Sequence, residues 1–181
     1  MDSFTNPTTT SLLTSPSHAQ QHSDINDAME AVQTKLAIGN TVIGTYTAYT
    51  PSFINITLGN GTVTSAYCQV NKLVHYYGKF VFGSTSAFPG GNASIGFPIA
   101  PDVVSSSPFS FTAFGTTSIT DVSVGTAYAG IAQCNLGGTA FFPGTQSTSG
   151  AYSQWTNIGT AIPMTWATGD FITWNLIYRI A

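Results

Sequence analysis

The chain has very little charge. Asp, Glu, Lys and Arg together make up 6% of its 181 residues, against about 25% in typical soluble domains. Lys and Arg number 4 and form no cluster, and the net charge is -3. Because nucleic acids and anionic membrane surfaces are bound by clustered positive charge, neither is expected as a partner. So few charges favour an oligomer, which hides part of its surface between copies.

Three further shortages exclude other classes of protein. The first residues, Met1 to Asn6, lack the basic start and apolar run of a secretory signal, so no leader is expected. No run of about 18 apolar residues occurs, and no membrane insertion is expected. The cysteines are Cys68 and Cys134. They could form a disulfide, but the interpretation that we favour is two small strand residues.

Motifs for catalysis are also missing. The sequence contains no phosphate-binding glycine loop, no dinucleotide fingerprint and no paired-cysteine motif. The carboxylates of the β-rich part, Asp102, Asp121 and Asp170, lie in no motif that would place two of them across one glycosidic bond. We therefore expect no catalytic residues, no cofactor and no enzyme activity. A polysaccharide-degrading spike that uses these three carboxylates is the least favoured alternative.

What the sequence does contain is a seam in residues 18–36. Its positions follow one another at steps of four, three, four, three and four residues, which is the spacing of a coiled coil. They are His18, His22, Ile25, Met29, Val32 and Leu36. Ser15-Pro16 supplies a helix start and Gly39-Asn40 a stop, so residues 17–40 are predicted to form a helix.

Mostly small or neutral residues flank the seam, which favours three strands over a dimer with charged flanks. We predict a short trimeric coiled coil, and the alternative is one amphipathic helix packed on its own β-domain. His18 and His22 lie four residues apart on one helix face, a spacing that metal sites use. We favour two polar layers that fix the register, and no metal site is expected. Residues 1–16, rich in Thr and Ser, are predicted to be an extended docking arm, or else a disordered tail.

From Thr41 onward the hydrophobic period changes to two. In residues 72–82 it places Val74, Tyr76, Gly78, Phe80 and Phe82 on one face and His75, Tyr77 and Lys79 on the other. In residues 171–181 it places Ile172, Trp174, Leu176, Tyr178 and Ile180 on one face. Turn signals recur every ten or so residues among 18 Gly and 9 Pro. The prediction is a mainly β chain whose residues 41–181 form an antiparallel, jelly-roll-like β-sandwich. The predicted strands are 41–49, 54–58, 62–70, 72–82, 94–99, 109–114, 119–131, 139–142, 160–166 and 171–181.

Exposed aromatic rings on a β-domain can stack on sugar faces. The candidates are Tyr77, Tyr152 and Trp155, and the alternative for each is a place in the core or in a subunit interface.

Several stretches resemble small structural proteins of tailed bacteriophages, especially those of actinobacterial phages. Residues 17–32 (Ser-His-Ala-Gln-Gln-His-Ser-Asp-Ile-Asn-Asp-Ala-Met-Glu-Ala-Val) resemble their helical segment. Residues 49–53 (Tyr-Thr-Pro-Ser-Phe), 58–63 (Leu-Gly-Asn-Gly-Thr-Val), 67–88 and 163–170 (Pro-Met-Thr-Trp-Ala-Thr-Gly-Asp) resemble their β-domain. The resemblance covers residues 17–181 with gaps. It implies a trimeric virion surface component without catalysis, of the minor tail, fibre or head-decoration type.

The resulting hypothesis is a homotrimeric bacteriophage protein, assembled in the host cytoplasm and located on the virion surface. Residues 1–16 would dock on capsid or tail proteins, residues 17–40 would set the threefold axis, and residues 41–181 would be displayed. The displayed domain would attach to a host surface glycan or stabilise the particle, and three copies on one axis would gain avidity. Head and tail locations both stay open. The alternative from another class is a monomeric carbohydrate-binding module without catalytic activity.

Overall fold

The computed structural model describes residues 18–36, 44–102, 111–135, 138–147 and 154–180. The chain divides into two compact units, Met1–Thr45 and Tyr46–Ala181. The predicted docking arm, residues 1–16, lies outside the described residues, as do the outer ends of the predicted helix, residues 17 and 37–40.

The described residues of the first unit form a helix, α1, with the bounds His18–Leu36. Its 19 residues give a length of about 28 Å. Its interior has neither Gly nor Pro, and its middle is the strong helix-forming run Ala28-Met29-Glu30-Ala31. The helix that the seam predicts is therefore confirmed, and its assembly into a coiled coil stays a prediction.

In the second unit the described residues form ten strands. They are β1 Thr47–Ala48, β2 Phe53–Ile54, β3 Thr62–Val70, β4 Leu73–Val81, β5 Ser94–Gly96, β6 Phe111–Asp121, β7 Thr126–Asn135, β8 Ala140–Ser147, β9 Gln154–Asn157 and β10 Phe171–Arg179. They pair in the order β1-β3-β4-β10-β6-β7-β8-β5-β2, and β9 pairs with β8. Every pairing is antiparallel. The predicted mainly β, antiparallel class is confirmed.

The sheet curls over one of its faces into a half-barrel. Phe53 of β2 lies at one end of the strand order, yet its ring is 5.4 Å from that of Phe80 in β4, near the other end. Likewise, Phe141 of β8 lies 6.1 Å from Trp174 of β10. The concave face therefore closes on itself and encloses the core. The finer prediction, a jelly-roll-like sandwich, is not shown, because the strands connect in one sheet.

Residue alternation decides which face each side chain takes. In β4 and β10 the even-numbered residues are buried on the concave face: Val74, Tyr76, Gly78, Phe80, Ile172, Trp174, Leu176 and Tyr178. Each large apolar side chain buried in this way stabilises the fold by about 1.5–3 kcal/mol. The odd-numbered residues lie on the opposite, convex face. The sequence pattern predicted this alternation in both strands, and it is confirmed.

The strand predicted for residues 119–131 is wrong, because a hairpin interrupts it. β6 ends at Asp121 and β7 begins at Thr126. The carboxylate of Asp121 accepts hydrogen bonds from the backbone N–H groups of Ser123 and Val124 and from the Ser123 hydroxyl, at 3.0, 3.3 and 2.6 Å. An Asp that binds the backbone just after it makes a tight turn, and here this outweighs the strand-like alternation of residues 119–131.

The strand predicted for residues 160–166 is also wrong. That segment turns, with only an isolated bridge between Gly159 and Ile162, and Nε1 of Trp166 donates to the carbonyl of Gly159 at 2.8 Å. The strand in this region is β9, which comes earlier. A Pro at position 163 removes a backbone donor, and this disfavours a ladder there. At 41–49, the strand found is β1, and residues 41–43 lie outside the described residues.

Candidate functional site

The α1 helix presents an apolar stripe to solvent. Ile25, Met29 and Val32 are 56%, 56% and 47% exposed, and their spacing of four and three puts them on one helix face. His22 is exposed three residues before Ile25. The outer seam positions, His18 and Leu36, belong to α1, but their side chains lie outside the described residues. Exposed large apolar side chains in heptad spacing form a surface that association with other helices would bury.

The seam histidines were predicted to be register-setting layers rather than metal ligands. Among the described residues no group of three or more His, Cys, Asp or Glu side chains could hold a metal ion. A ring of imidazoles, whether it sets the register or binds a metal, would need further copies of the helix. Both interpretations of His18 and His22 therefore stay predictions.

A hydrogen-bonded cluster lies on the convex face of the β-sheet. The Oη of Tyr46 lies 2.6 Å from Nδ1 of His75, and Nε2 of His75 lies 2.8 Å from Oδ1 of Asn175. Because an amide oxygen only accepts, Nε2 donates to Asn175, and Nδ1 accepts from the Tyr46 hydroxyl. Tyr46 also meets the Tyr77 ring edge-on, with centroids 5.3 Å apart. The cluster thereby holds Tyr77, which is 40% exposed.

Beside this cluster the convex face forms an open trough of about 860 Å³. Its lining residues come from β3, β4, β10, β6 and β7, and most are Thr, Ser, Ala or Gly. The strand register arranges six of them in two rows: Tyr77, Asn175 and Thr116 in one, and Lys79, Thr173 and Ser118 in the other. Neighbouring strands are about 4.8 Å apart, so each row crosses about 10 Å of the sheet.

Lys79 is the charged residue among those that line the trough. Its Nζ lies 3.8 Å from the centroid of the Phe171 ring, a cation–π contact of about 0.5–1 kcal/mol at such an exposed site. This contact limits where the ammonium group can lie. The trough therefore combines one exposed aromatic ring, one cation whose position is restricted, and a floor of hydroxyl and amide groups.

The structure places the three candidate glycan-facing aromatics differently. Tyr77 lines the trough. Trp155 of β9 is half-buried, its Nε1 donates to the carbonyl of Ile131 at 3.3 Å, and its indole lies so close to Gly144 that a Cβ there would collide with it. Trp155 therefore packs on β7 and β8 and is not brought into the trough. Tyr152 lies outside the described residues.

Two of the three carboxylates that a spike enzyme would need stabilise surface features of the fold, an ion pair and a hairpin turn. Asp102 forms an ion pair with Arg179, with 3.1 Å between Oδ2 and Nη2. Asp121 organises the β6–β7 hairpin through Ser123 and Val124. One oxygen of each carboxylate, Oδ2 of Asp102 and Oδ1 of Asp121, thus makes contacts within the fold.

The third carboxylate, Asp170, is fully buried beside that hairpin. Its Oδ1 accepts the backbone N–H of Val122 at 3.0 Å, and its Oδ2 accepts that of Ala167 at 2.6 Å. Each oxygen therefore satisfies one backbone donor, and the carboxylate joins the start of β10 to the β6–β7 hairpin. Of the three, Asp170 is the buried one, and its loss would remove the acceptor of the Val122 and Ala167 N–H groups.

We expect Asp170→Asn to lower the free energy of unfolding by about 1–3 kcal/mol, because an amide NH₂ would face a backbone donor. Asp102→Asn, the matched control, removes only a surface ion pair, in which the side chains of Arg179 and Asp102 are 68% and 25% exposed, and should cost less than about 1 kcal/mol. Urea unfolding followed by tryptophan fluorescence measures both. Equal losses in the two variants would show that Asp170 is not a structural carboxylate.

The cysteines Cys68 and Cys134 are both buried and both free. Burial raises the pKa of the Cys134 thiol to about 11, against a smaller opposing effect of its hydrogen bond to Gly138. The thiol donates to the carbonyls of Asn135 and Gly138 at 3.1 and 3.5 Å. The interpretation as two small strand residues is supported over a disulfide.

The raised pKa predicts an unreactive thiol, because only the thiolate attacks a disulfide reagent. In a Cys68→Ser variant, Cys134 should react with Ellman's reagent at about pH 8 only after the chain is unfolded. As pH rises, the unfolded state releases the proton of this thiol at a lower pH than the folded state does. The free energy of unfolding therefore falls as pH rises from about 9 to about 11. Rapid reaction of the folded variant would contradict this burial.

No known protein family, no characterised protein and no solved structure matches the chain. In the part of the chain that the structure describes, no helix is long and apolar enough to cross a bilayer. Function is therefore inferred from the two surfaces described above, the α1 stripe and the convex trough.

The cluster contains one residue that the sequence pattern did not single out, Asn175. His75 and Asn175 are 100 residues apart in the chain, and only the β4–β10 register brings them together. The polar odd-numbered positions Thr173 and Asn175 did carry a signal, since they mark an outward face. That signal does not say which strand lies alongside, so the partner of His75 could not be named.

Proposed function

We propose that the chain is a homotrimeric structural protein of a bacteriophage virion, of the fibre, minor tail or capsid-decoration type. The observation that carries this proposal is the α1 stripe: Ile25, Met29 and Val32 are exposed at heptad spacing. Helices in proteins gain most of their stability from packing of an apolar face rather than from intrinsic propensity, so association that buries the stripe would stabilise α1. Three copies of α1 around an axis form the short coiled coil in this proposal.

In this proposal the second unit is the displayed domain. The two arms of its curled sheet, β2–β5–β8 and β3–β4–β10, would act as the two layers of a jelly-roll-like sandwich. Few charges and a buried aromatic core suit a rigid module that presents a surface rather than a reactive group. Residues 1–16 would extend from α1 and dock on capsid or tail proteins, and the chain would sit on the virion surface.

Light scattering on the purified full-length chain tests the trimer directly. A mass of three chains at micromolar concentration is expected, and a monomer would contradict the proposal. Gold labelling of intact virions with an antibody to the β unit then tests the location. Signal on the tail supports attachment to the host, signal on the head supports capsid decoration, and a virion without signal would contradict a structural role.

The second candidate is a monomeric carbohydrate-binding module, which the convex trough with its exposed Tyr77 favours. The two candidates differ in what residues 1–40 do. Deleting them should abolish the trimer and weaken any multivalent binding if the first proposal is right. If the second is right, the deleted chain should keep the stability and the glycan affinity of the full chain.

A further inference from the structure

We propose that the convex trough binds a glycan that carries carboxylate groups, with Tyr77 stacking on a sugar ring and Lys79 pairing with a carboxylate. This deepens the proposed function, on which it rests, because a displayed domain needs a ligand to attach to. The shape of the trough, its hydrogen-bonding groups and its charge support this class of ligand.

The shape suits an extended chain of sugars rather than a compact ligand. The trough is open and is lined across five strands, so a ligand can enter and leave at its ends. Its floor residues are small, Thr116, Ser118, Ala127, Ala129 and Thr173. Small residues leave room above the sheet beside the larger Tyr77. An aromatic ring at the edge of a shallow polar surface offers a stacking face to a sugar ring.

The hydrogen-bonding groups fit hydroxyl-rich ligands. Asn175 uses its Oδ1 for His75, which leaves its Nδ2 to donate toward the trough. The hydroxyls of Thr116 and Ser118 can both donate and accept hydrogen bonds, so they can pair with sugar hydroxyls in either role. Because Tyr46 and Asn175 both bind His75, one cluster fixes an amide donor and the neighbouring Tyr77 ring. The site is therefore partly preorganised, which lowers the entropy cost of binding.

The charge selects an acidic sugar over a neutral one. Lys79 is the charged residue among those that line the trough, and no carboxylate lies among them. Tyr77 and Lys79 are two residues apart on β4, so they lie about 7 Å apart along the strand on the same face. Phe171 pairs with Val81, beyond Lys79 as counted from Tyr77, and its ring lies 3.8 Å from the ammonium group. A sugar chain with one ring stacked on Tyr77 would therefore bring a carboxylate of an adjoining sugar near that group.

The test uses the full-length chain on a biosensor with three immobilised uronate polysaccharides: polygalacturonate, alginate and hyaluronan. Methyl-esterified polygalacturonate is the matched neutral ligand, because it keeps the sugar and removes the charge. We expect binding to at least one uronate, and at least tenfold weaker binding to the ester than to free polygalacturonate if the latter binds. Tyr77→Ala and Lys79→Gln should each weaken uronate binding at least tenfold, and Lys79→Arg should retain it.

The control variant is Val124→Ala, an exposed change at the β6–β7 hairpin that should leave binding unchanged. No binding to any of the three uronates would overturn the proposal, and so would equal binding of the ester or unchanged binding by Tyr77→Ala. Light scattering on the same samples separates this proposal from the proposed function. A trimer that binds no uronate overturns only the trough, whereas a monomer that binds through Tyr77 and Lys79 overturns only the trimer.

Discussion

Replacing Ile25 with glutamate is expected to turn the trimer into monomers at micromolar concentration. Ile25 is 56% exposed in the single chain, and the proposed coiled coil would bury it from three helices at one layer. Losing three such side chains from an apolar layer costs about 5 kcal/mol or more. This lowers the association constant of the trimer roughly a thousandfold or more. Three carboxylates around one axis would add mutual repulsion.

The matched control is Ala31→Glu, which adds the same charge to α1 at an exposed position off the stripe. It should leave the mass at three chains. Light scattering gives the mass, and circular dichroism shows whether the β unit stays folded in both variants. If Ile25→Glu still runs as a trimer, the α1 stripe is not the interface, and the copies associate elsewhere.

The strongly periodic elements could be predicted from the sequence. The seam predicts a helix, and α1 is found there at His18–Leu36. Alternation over 72–82 and 171–181 predicts strands with known inward faces, and β4 and β10 have those faces. In each case a run of nine or more residues repeats one period. A local rule then suffices, because burial of one face fixes the conformation of the whole run.

The arrangement of the strands could not be predicted in the same way. The sheet order places β10 between β4 and β6, and curling brings Phe53 against Phe80. Both depend on contacts between residues far apart in the chain, which no local period encodes. The same limit applies to the trough: alternation placed His75, Tyr77 and Lys79 on one face, but Asn175 joined them only through register. The turn between β6 and β7 was missed, because the hydrogen bonds of a single side chain, that of Asp121, interrupt a segment that alternates like a strand.

Because Phe141 helps to close the curled sheet, Phe141→Ala is expected to destabilise the fold strongly. Phe141 is fully buried, and its ring lies 6.3 Å from Tyr76, 6.1 Å from Trp174 and 5.5 Å from Phe97. It therefore joins β8 to β4 and β10 across the concave face. Removing it leaves a cavity that the rigid aromatic neighbours cannot fill. We expect a loss of about 3–5 kcal/mol in the free energy of unfolding, a large share of the roughly 5–15 kcal/mol of a typical domain.

The adjacent Phe142→Ala is the matched control. It makes the same change of side chain in the same strand, so the loss of strand propensity is equal in the two variants. Phe142 is half-buried and alternates to the other face, and its loss should cost about 1 kcal/mol. Urea unfolding of both variants measures the difference. If the two losses are equal, Phe141 does not tie the arms of the half-barrel together, and the closure of the sheet has another cause.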